Sequence, residues 1–107
     1  MKKYQVDAFK ALADPRRRKI IQLLIVSSSL SLHAITESFS MSRQALTRHI
    51  NTLEASGILE TKKQGRETIC HLNMEPLKEV FDLISHYQSF WESKLNNLDE
   101  LINNQET

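Results

Sequence analysis

Glycine, proline and cysteine are nearly absent from this chain, with two, two and one copies in 107 residues. So little glycine excludes phosphate-cradling loops and dinucleotide-binding folds, whose tight turns need it at fixed spacings, and leaves no collagen-like or low-complexity repeat. The lone cysteine, Cys70, cannot close an internal disulfide, which fits a reducing cytoplasm. Long apolar runs are missing too. The longest, Leu23 to Val26, falls far short of the roughly 20 residues that span a bilayer, so no membrane insertion is expected. Met1-Lys2-Lys3 leads into a polar amphipathic segment, and no signal peptide is expected from it. Charge of one sign is lacking as well: 14 Lys and Arg stand against 13 Asp and Glu, a net +1, and as a total this hints at no polyanion partner.

What is present fits one helical globular domain, with 40% apolar and 25% charged residues in a chain too short for a second core and small enough to gain from dimerising. The charge total conceals a division. Residues 1–73 hold 12 basic and 6 acidic residues, net +6, whereas 74–107 hold 2 and 7, net −5. A basic body with an acidic tail suggests a polyanion-binding face joined to a segment of different purpose.

Periodicity and punctuation place the elements. Tyr4, Ala8, Phe9 and Leu12 recur at helical spacing and predict a short first helix ending near Ala13. Asp14-Pro15 reads as a cap followed by proline at the first helical position, opening a second helix that turns Ile20, Leu23 and Leu24 inward and stops at the serines 27–29. Ser31 caps a third helix with Ala34 and Ile35 inward and Phe39 packing near its end; Ser40-Met41-Ser42 then supplies the turn and cap of a fourth. There Leu46, Ile50 and Leu53 form a narrow apolar stripe, and Gly57 suits the left-handed position past the end. Residues 58–63 and 67–72 alternate as strands about Gln64-Gly65-Arg66, predicting a hairpin. Asn73 caps a last helix of about thirty residues, with Glu75 and Pro76 in its first turn.

Two helices in tandem, a tight joint and an immediate hairpin make a helix-turn-helix with a wing, an arrangement that lays its second helix in the DNA major groove. The outward face of that helix carries Ser42, Arg43, Gln44, Thr47, Arg48 and Asn51, and no acidic residue occurs from Phe39 to Leu53. An ordinary solvated face would mix Glu and Lys at i, i+4. Arginine reads guanine, Gln and Asn read adenine, and a threonine methyl meets that of thymine. Ser42, Arg43, Gln44, Thr47 and Arg48 are therefore assigned to bases, and Asn51 to the backbone.

These residues resemble the ArsR-type winged-helix transcriptional regulators, in particular the branch without metal sites. The resemblance rests on Ala11-Leu12-Ala13-Asp14-Pro15-Arg16-Arg17-Arg18-Lys19-Ile20-Ile21, on Ser42 through Ile50 with Leu53 and Ser56-Gly57-Ile58-Leu59, on Gly65-Arg66 at the wing tip, and on Tyr87 through Leu95. It covers most of the chain in order. It implies a mainly α fold with a small β-hairpin, a winged body at 1–73 and a dimerisation helix at 74–107 forming one continuous domain. It also implies a homodimeric repressor that binds double-stranded DNA, acting on its own operon or a neighbouring gene.

Around the wing tip stand Lys62, Lys63, Gln64 and Arg66, suited to neutralising phosphates whatever the sequence, with the resemblance favouring that role and Arg66 entering a minor groove. Arg16, Arg17, Arg18 and Lys19 crowd a helix start whose dipole favours anions, a cost of about 0.3–1 kcal/mol each. Their compensation is either DNA phosphate, assigned here to Arg17, or pairing with the acidic tail. In the last helix Leu77, Phe81, Ile84, Gln88, Trp91, Leu95, Leu98 and Ile102 follow steps of four and three, a seam broken only by Gln88. A second line, Val80, Leu83, Tyr87, Phe90 and Leu101, makes the band wide enough to cover its own body and meet a twin. The expected dimer interface is Tyr4 with seam residues Phe81 through Ile102.

Other functions lack the residues they need. Leu32–Ser38 contains no cysteine, and Asp82 with His86 gives one turn of a ligand set without a second pair, so no metal or other cofactor is expected. No glycine-framed nucleophile occurs, and Cys70 has only its neighbour His71, on the opposite strand face, as a base; an enzyme is not expected. The alternatives are a metal-responsive repressor of the same family, or an interaction module whose long helix binds another regulator. An unidentified inducer or sequestering protein also has a place in a regulator without metal ligands.

Overall fold

The structure, a computed structural model, describes residues 4–105. The chain divides into two compact units, Met1–Leu77 and Lys78–Thr107.

The first unit opens with α1, Ala8–Ala11, where the Asp7 carboxylate accepts from the Phe9 amide at 2.7 Å. This helix is shorter than the spacing of Tyr4, Ala8, Phe9 and Leu12 suggests, because the cap lies at Asp7 and the Val6 amide donates to Ala55 O at 3.1 Å, tying the preceding segment to a later helix. Tyr4 is therefore not helical. Its ring lies against Gly57, where an added Cβ would collide with it, and its hydroxyl oxygen accepts from Asn73 Nδ2 at 3.5 Å. That half-buried position inside the body differs from the dimer-facing one expected of it.

Helix α2, Pro15–Ser27, starts at its Asp14 cap and stops at Ser28, whose φ of 69° no helix continues. Its buried residues are Ile20, Ile21 and Leu24, so Ile21 takes the inward place expected of Leu23, which is half-buried. Strand β1, Ser29–Ser31, follows, and sequence reading missed it: three residues, two of them serine, are too few for an alternation to stand out. It pairs antiparallel with β3, Leu30 opposite Cys70, so the expected hairpin is two strands of a three-stranded sheet in the order β1-β3-β2. Helix α3, Leu32–Ser38, is capped by Ser31 Oγ, which accepts from Ala34 N at 3.0 Å. Helix α4, Arg43–Ala55, is capped by Ser42 Oγ in the same manner, from Ala45 N at 3.1 Å.

Past α4 the chain turns through Gly57 at φ +78°, and the one buried polar residue among those described, Ser56, both donates to Leu53 O and accepts from Ile58 N. Strands β2, Leu59–Gln64, and β3, Glu67–Leu72, meet at the two-residue turn Gly65-Arg66, with Gln64 opposite Glu67. Gly65 has φ +66° and Arg66 does not share it, the sequence of angles that a II′ hairpin turn uses. Ile20, Leu24, Ile35, Leu46, Leu53, Ile58, Leu59 and Cys70 form the core, each less than 2% exposed, and burying each large one stabilises the fold by about 1.5–3 kcal/mol.

Helix α5, Glu75–Gln105, begins where Asn73 Oδ1 accepts from Glu75 N at 3.2 Å. From Phe81 to Asn103 every residue of it is exposed. The exposed residues include Phe81, Ile84, Trp91, Leu95, Leu98 and Ile102 of the expected seam, and Leu83, Tyr87, Phe90 and Leu101 beside it. Phe90 and Trp91 meet edge to face at 5.7 Å, Lys94 Nζ lies 5.5 Å from the Phe90 ring centre, and Gln88 Nε2 donates to Glu92 at 3.3 Å. The division at Leu77 falls four residues beyond the expected change of role at Asn73.

Candidate nucleic-acid interface

Helix α4 buries its stripe, Leu46, Ile50 and Leu53, and so presents the opposite face. Ser42, Arg43, Gln44, Thr47, Arg48 and Asn51 are all exposed on it. Two of these are partly committed to the helix: Ser42 Oγ serves as the cap, and the Thr47 hydroxyl donates to Arg43 O at 2.8 Å. Thr47 is left with its methyl to offer a base. Arg43, Gln44, Arg48 and Asn51 have no side-chain hydrogen bond among the described residues, so their donors are available. The first carboxylate along the helix, Glu54, accepts from Thr61 Oγ1 on β2 at 3.4 Å.

Lys62, Lys63, Gln64 and Arg66 are exposed around the hairpin tip. Arg43 and Arg66 come together on one shallow cleft between the start of α4, α3 and β3, along with His33, Thr36, Thr68 and Glu67. No local pattern reveals this meeting, because it depends on the tertiary placement of the hairpin beside α3.

Arg17, expected to meet a DNA phosphate, makes its contacts within the body. Its Nε donates to Ala11 O at 2.7 Å and Nη2 to Lys10 O at 3.1 Å, while Nη1 lies 3.3 Å from His49 Nδ1 and 3.9 Å from Asp14. The side chain is 15% exposed. Arg18 likewise donates to Leu12 O. Arg17 and Arg18, two of the four cations at the start of α2, thus find compensation in the carbonyl oxygens at the end of α1, a partner neither of the sequence alternatives included. A guanidinium only donates, so His49 Nδ1 is the acceptor and any proton on the neutral ring sits on Nε2. Burial, reinforced by Arg17, Arg16 and Arg48 and opposed by Asp14, holds the His49 pKa below its ordinary value. The Arg16 amide donating to Asp14 holds that carboxyl low as well.

Arg17 and His49 join α2 to the groove-facing helix, and His49 is the residue sequence reading passed over. Its place beside Ile50 at the edge of the buried stripe was the available signal. Cys70 is wholly buried, and burial followed by the Glu54 charge pushes its thiol pKa up, which makes it inert. Among the described residues no three His, Cys, Asp or Glu side chains gather as a metal would need, and no helix is long and apolar enough to cross a membrane.

Comparison with known proteins gives the same picture. A family model described as a helix-turn-helix domain matches residues 12–62. An HTH-type transcriptional regulator of Bacillus subtilis, YuzN, is 35% identical over 78 residues, covering 67% of this chain and 85% of that protein. The transcriptional repressor SdpR of the same organism is 30% identical over 81 residues, covering 76% and 89%. The crystal structure of an ArsR family transcriptional regulator superposes with a TM-score of 0.68 at 35% identity, over 79% of this chain and 87% of that one.

Proposed function

The chain belongs to the ArsR family of winged helix-turn-helix transcriptional regulators, and on that premise we propose that it is a homodimeric repressor that binds an inverted-repeat operator. The observation that carries this reading is the outward face of α4: six exposed polar or cationic side chains from Ser42 to Asn51, no carboxylate before Glu54, and a buried stripe directly behind them. In the proposed complex Arg43, Gln44, Thr47 and Arg48, with Ser42 at the cap, face base edges. Asn51, Lys62, Lys63, Gln64 and Arg66 face the backbone, which positions the protein without reading sequence.

Dimerisation through α5 is supported by its exposed apolar seam, since large contiguous apolar surfaces mark interaction sites. The role of repressor is supported by the relative SdpR, whose name states it. The reading requires no catalytic group and places the protein in the cytoplasm with the DNA.

Selection of bound duplexes from a random pool tests it. The enriched sequences should form two mirrored half-sites about 10 base pairs apart, one helical turn, as two-fold related recognition helices require. Enrichment of an unpaired motif, or of none, contradicts the proposal. An α5 that binds another regulator while the duplex pool shows no enrichment would instead favour the interaction module.

A further inference from the structure

When a helix occupies the major groove and a hairpin reaches the neighbouring minor groove, the strand of backbone dividing the two grooves passes between them. In this fold the corresponding space is the cleft where Arg43, Arg66, His33, Thr36, Thr68 and Glu67 meet. Arg43 begins α4 and Arg66 sits in the hairpin turn, on two separately positioned elements. Both are exposed, and neither guanidinium has a hydrogen-bond partner among the described residues. Two cations lining one cleft have no acceptor among the described residues, and an anion held there supplies acceptors for both. The remaining polar groups are partly engaged: Thr36 Oγ1 donates to Leu32 O at 2.9 Å, and His33 lies 3.4 Å from Glu37. Glu67 is the one carboxylate on the cleft, and it opposes an anion there.

We propose that this cleft holds a single phosphodiester of the DNA backbone, gripped by Arg43 from the recognition helix and Arg66 from the wing. The inference rests on the reading of the chain as a DNA-binding regulator and changes one assignment within it. Arg43 fixes the register of α4 on the duplex, and base reading falls to Gln44, Thr47 and Arg48. A phosphodiester presents two non-bridging oxygens, one for each guanidinium, so the two side chains act as a pair. Glu67 weakens the site for any anion not also held by the rest of the interface.

The test uses the full chain, a duplex enriched from the random pool and a scrambled duplex, titrated by fluorescence anisotropy between about 50 and 200 mM salt. R43Q and R66Q should each weaken binding to both duplexes by the same factor, about tenfold, and lower the salt slope by about one unit. The double variant should lose little more than the weaker-binding single one, because both side chains serve one phosphate. A neutral methylphosphonate placed at one linkage after another should reproduce the loss at one position on each half-site and have no effect there on the double variant. E67Q should bind both duplexes more tightly. Thermal melting of all four variants should match the parent, since these side chains are exposed.

Multiplicative losses in the double variant overturn the shared site. An R43Q defect confined to one base pair shows that Arg43 reads a base and overturns it too. So does saturable binding of inorganic phosphate at this cleft combined with duplex binding indifferent to methylphosphonate, which would make it a site for a free anion. A parent chain that binds no duplex overturns the DNA-binding reading itself, and this inference with it; the other three outcomes leave that reading standing.

Discussion

At the scale of single residues, Gly57 carries two constraints at once. Its φ of +78° favours glycine, and the Tyr4 ring occupies the space a Cβ would take. Gly57→Ala should cost about 1–3 kcal/mol from backbone strain, and relief of the collision by Tyr4→Ala should recover only part of it. Thermal melting of the two variants and their combination checks this. Arg17 makes a comparable case with a different readout. Arg17→Gln should lower the melting temperature, because it removes the Arg17 donor from Ala11 O and one of two donors from Lys10 O. It should also leave the salt slope of DNA binding unchanged, where a phosphate contact would lower it by about one unit. His49 adds a pH dependence of defined sign. Its pKa is held down in the folded state, so the unfolded chain binds the proton more readily. Its contribution to stability is then complete above the ordinary histidine pKa of about 6.5 and is lost as pH falls below it. Chemical denaturation across that range should show stability declining toward acid in the parent, with a shallower decline in His49→Gln.

At the scale of elements, the division of labour within the reading head separates two kinds of loss. Gln44→Ala or Arg48→Ala should relax discrimination at one base pair by about 1–3 kcal/mol, whereas Lys63→Ala should weaken all duplexes alike and flatten the salt dependence. Competition titrations against single-base variants of the selected site distinguish them. Elements with strong local signals were legible in the sequence. Ser31, Ser42 and Asn73 cap helices where serine and asparagine suggested, the stripe of α4 is buried, and Gly65 turns the hairpin. What stayed hidden depends on contacts between distant parts of the chain. β1 becomes a strand by pairing with β3, some forty residues away. The short α1 reflects the tether from Val6 to Ala55, and Arg17 finds its partners in carbonyl groups, which no side-chain pattern reveals. The cleft joining Arg43 to Arg66 has the same origin: each residue was identified, but their meeting is a product of tertiary folding.

At the scale of the whole molecule, the near-zero net charge is a sum over two segments of opposite sign, +6 over residues 1–73 and −5 over 74–107. Such a molecule gains little long-range attraction to DNA, so its hold depends on local contacts that salt weakens. In the proposed complex assembly then decides function, because two half-sites need two reading heads. Trp91→Glu or Leu95→Glu introduces a charge into the exposed apolar seam of α5. Either should yield a monomer by light scattering and abolish tight operator binding while the winged body still melts cooperatively. One comparison decides whether this chain reads sequence at all: its affinity for the selected duplex against that for a scrambled duplex of equal length, at physiological salt. A sequence-specific regulator should prefer the selected site by about a thousandfold or more. Equal affinity for the two would show that the exposed face of α4 does not discriminate between sequences.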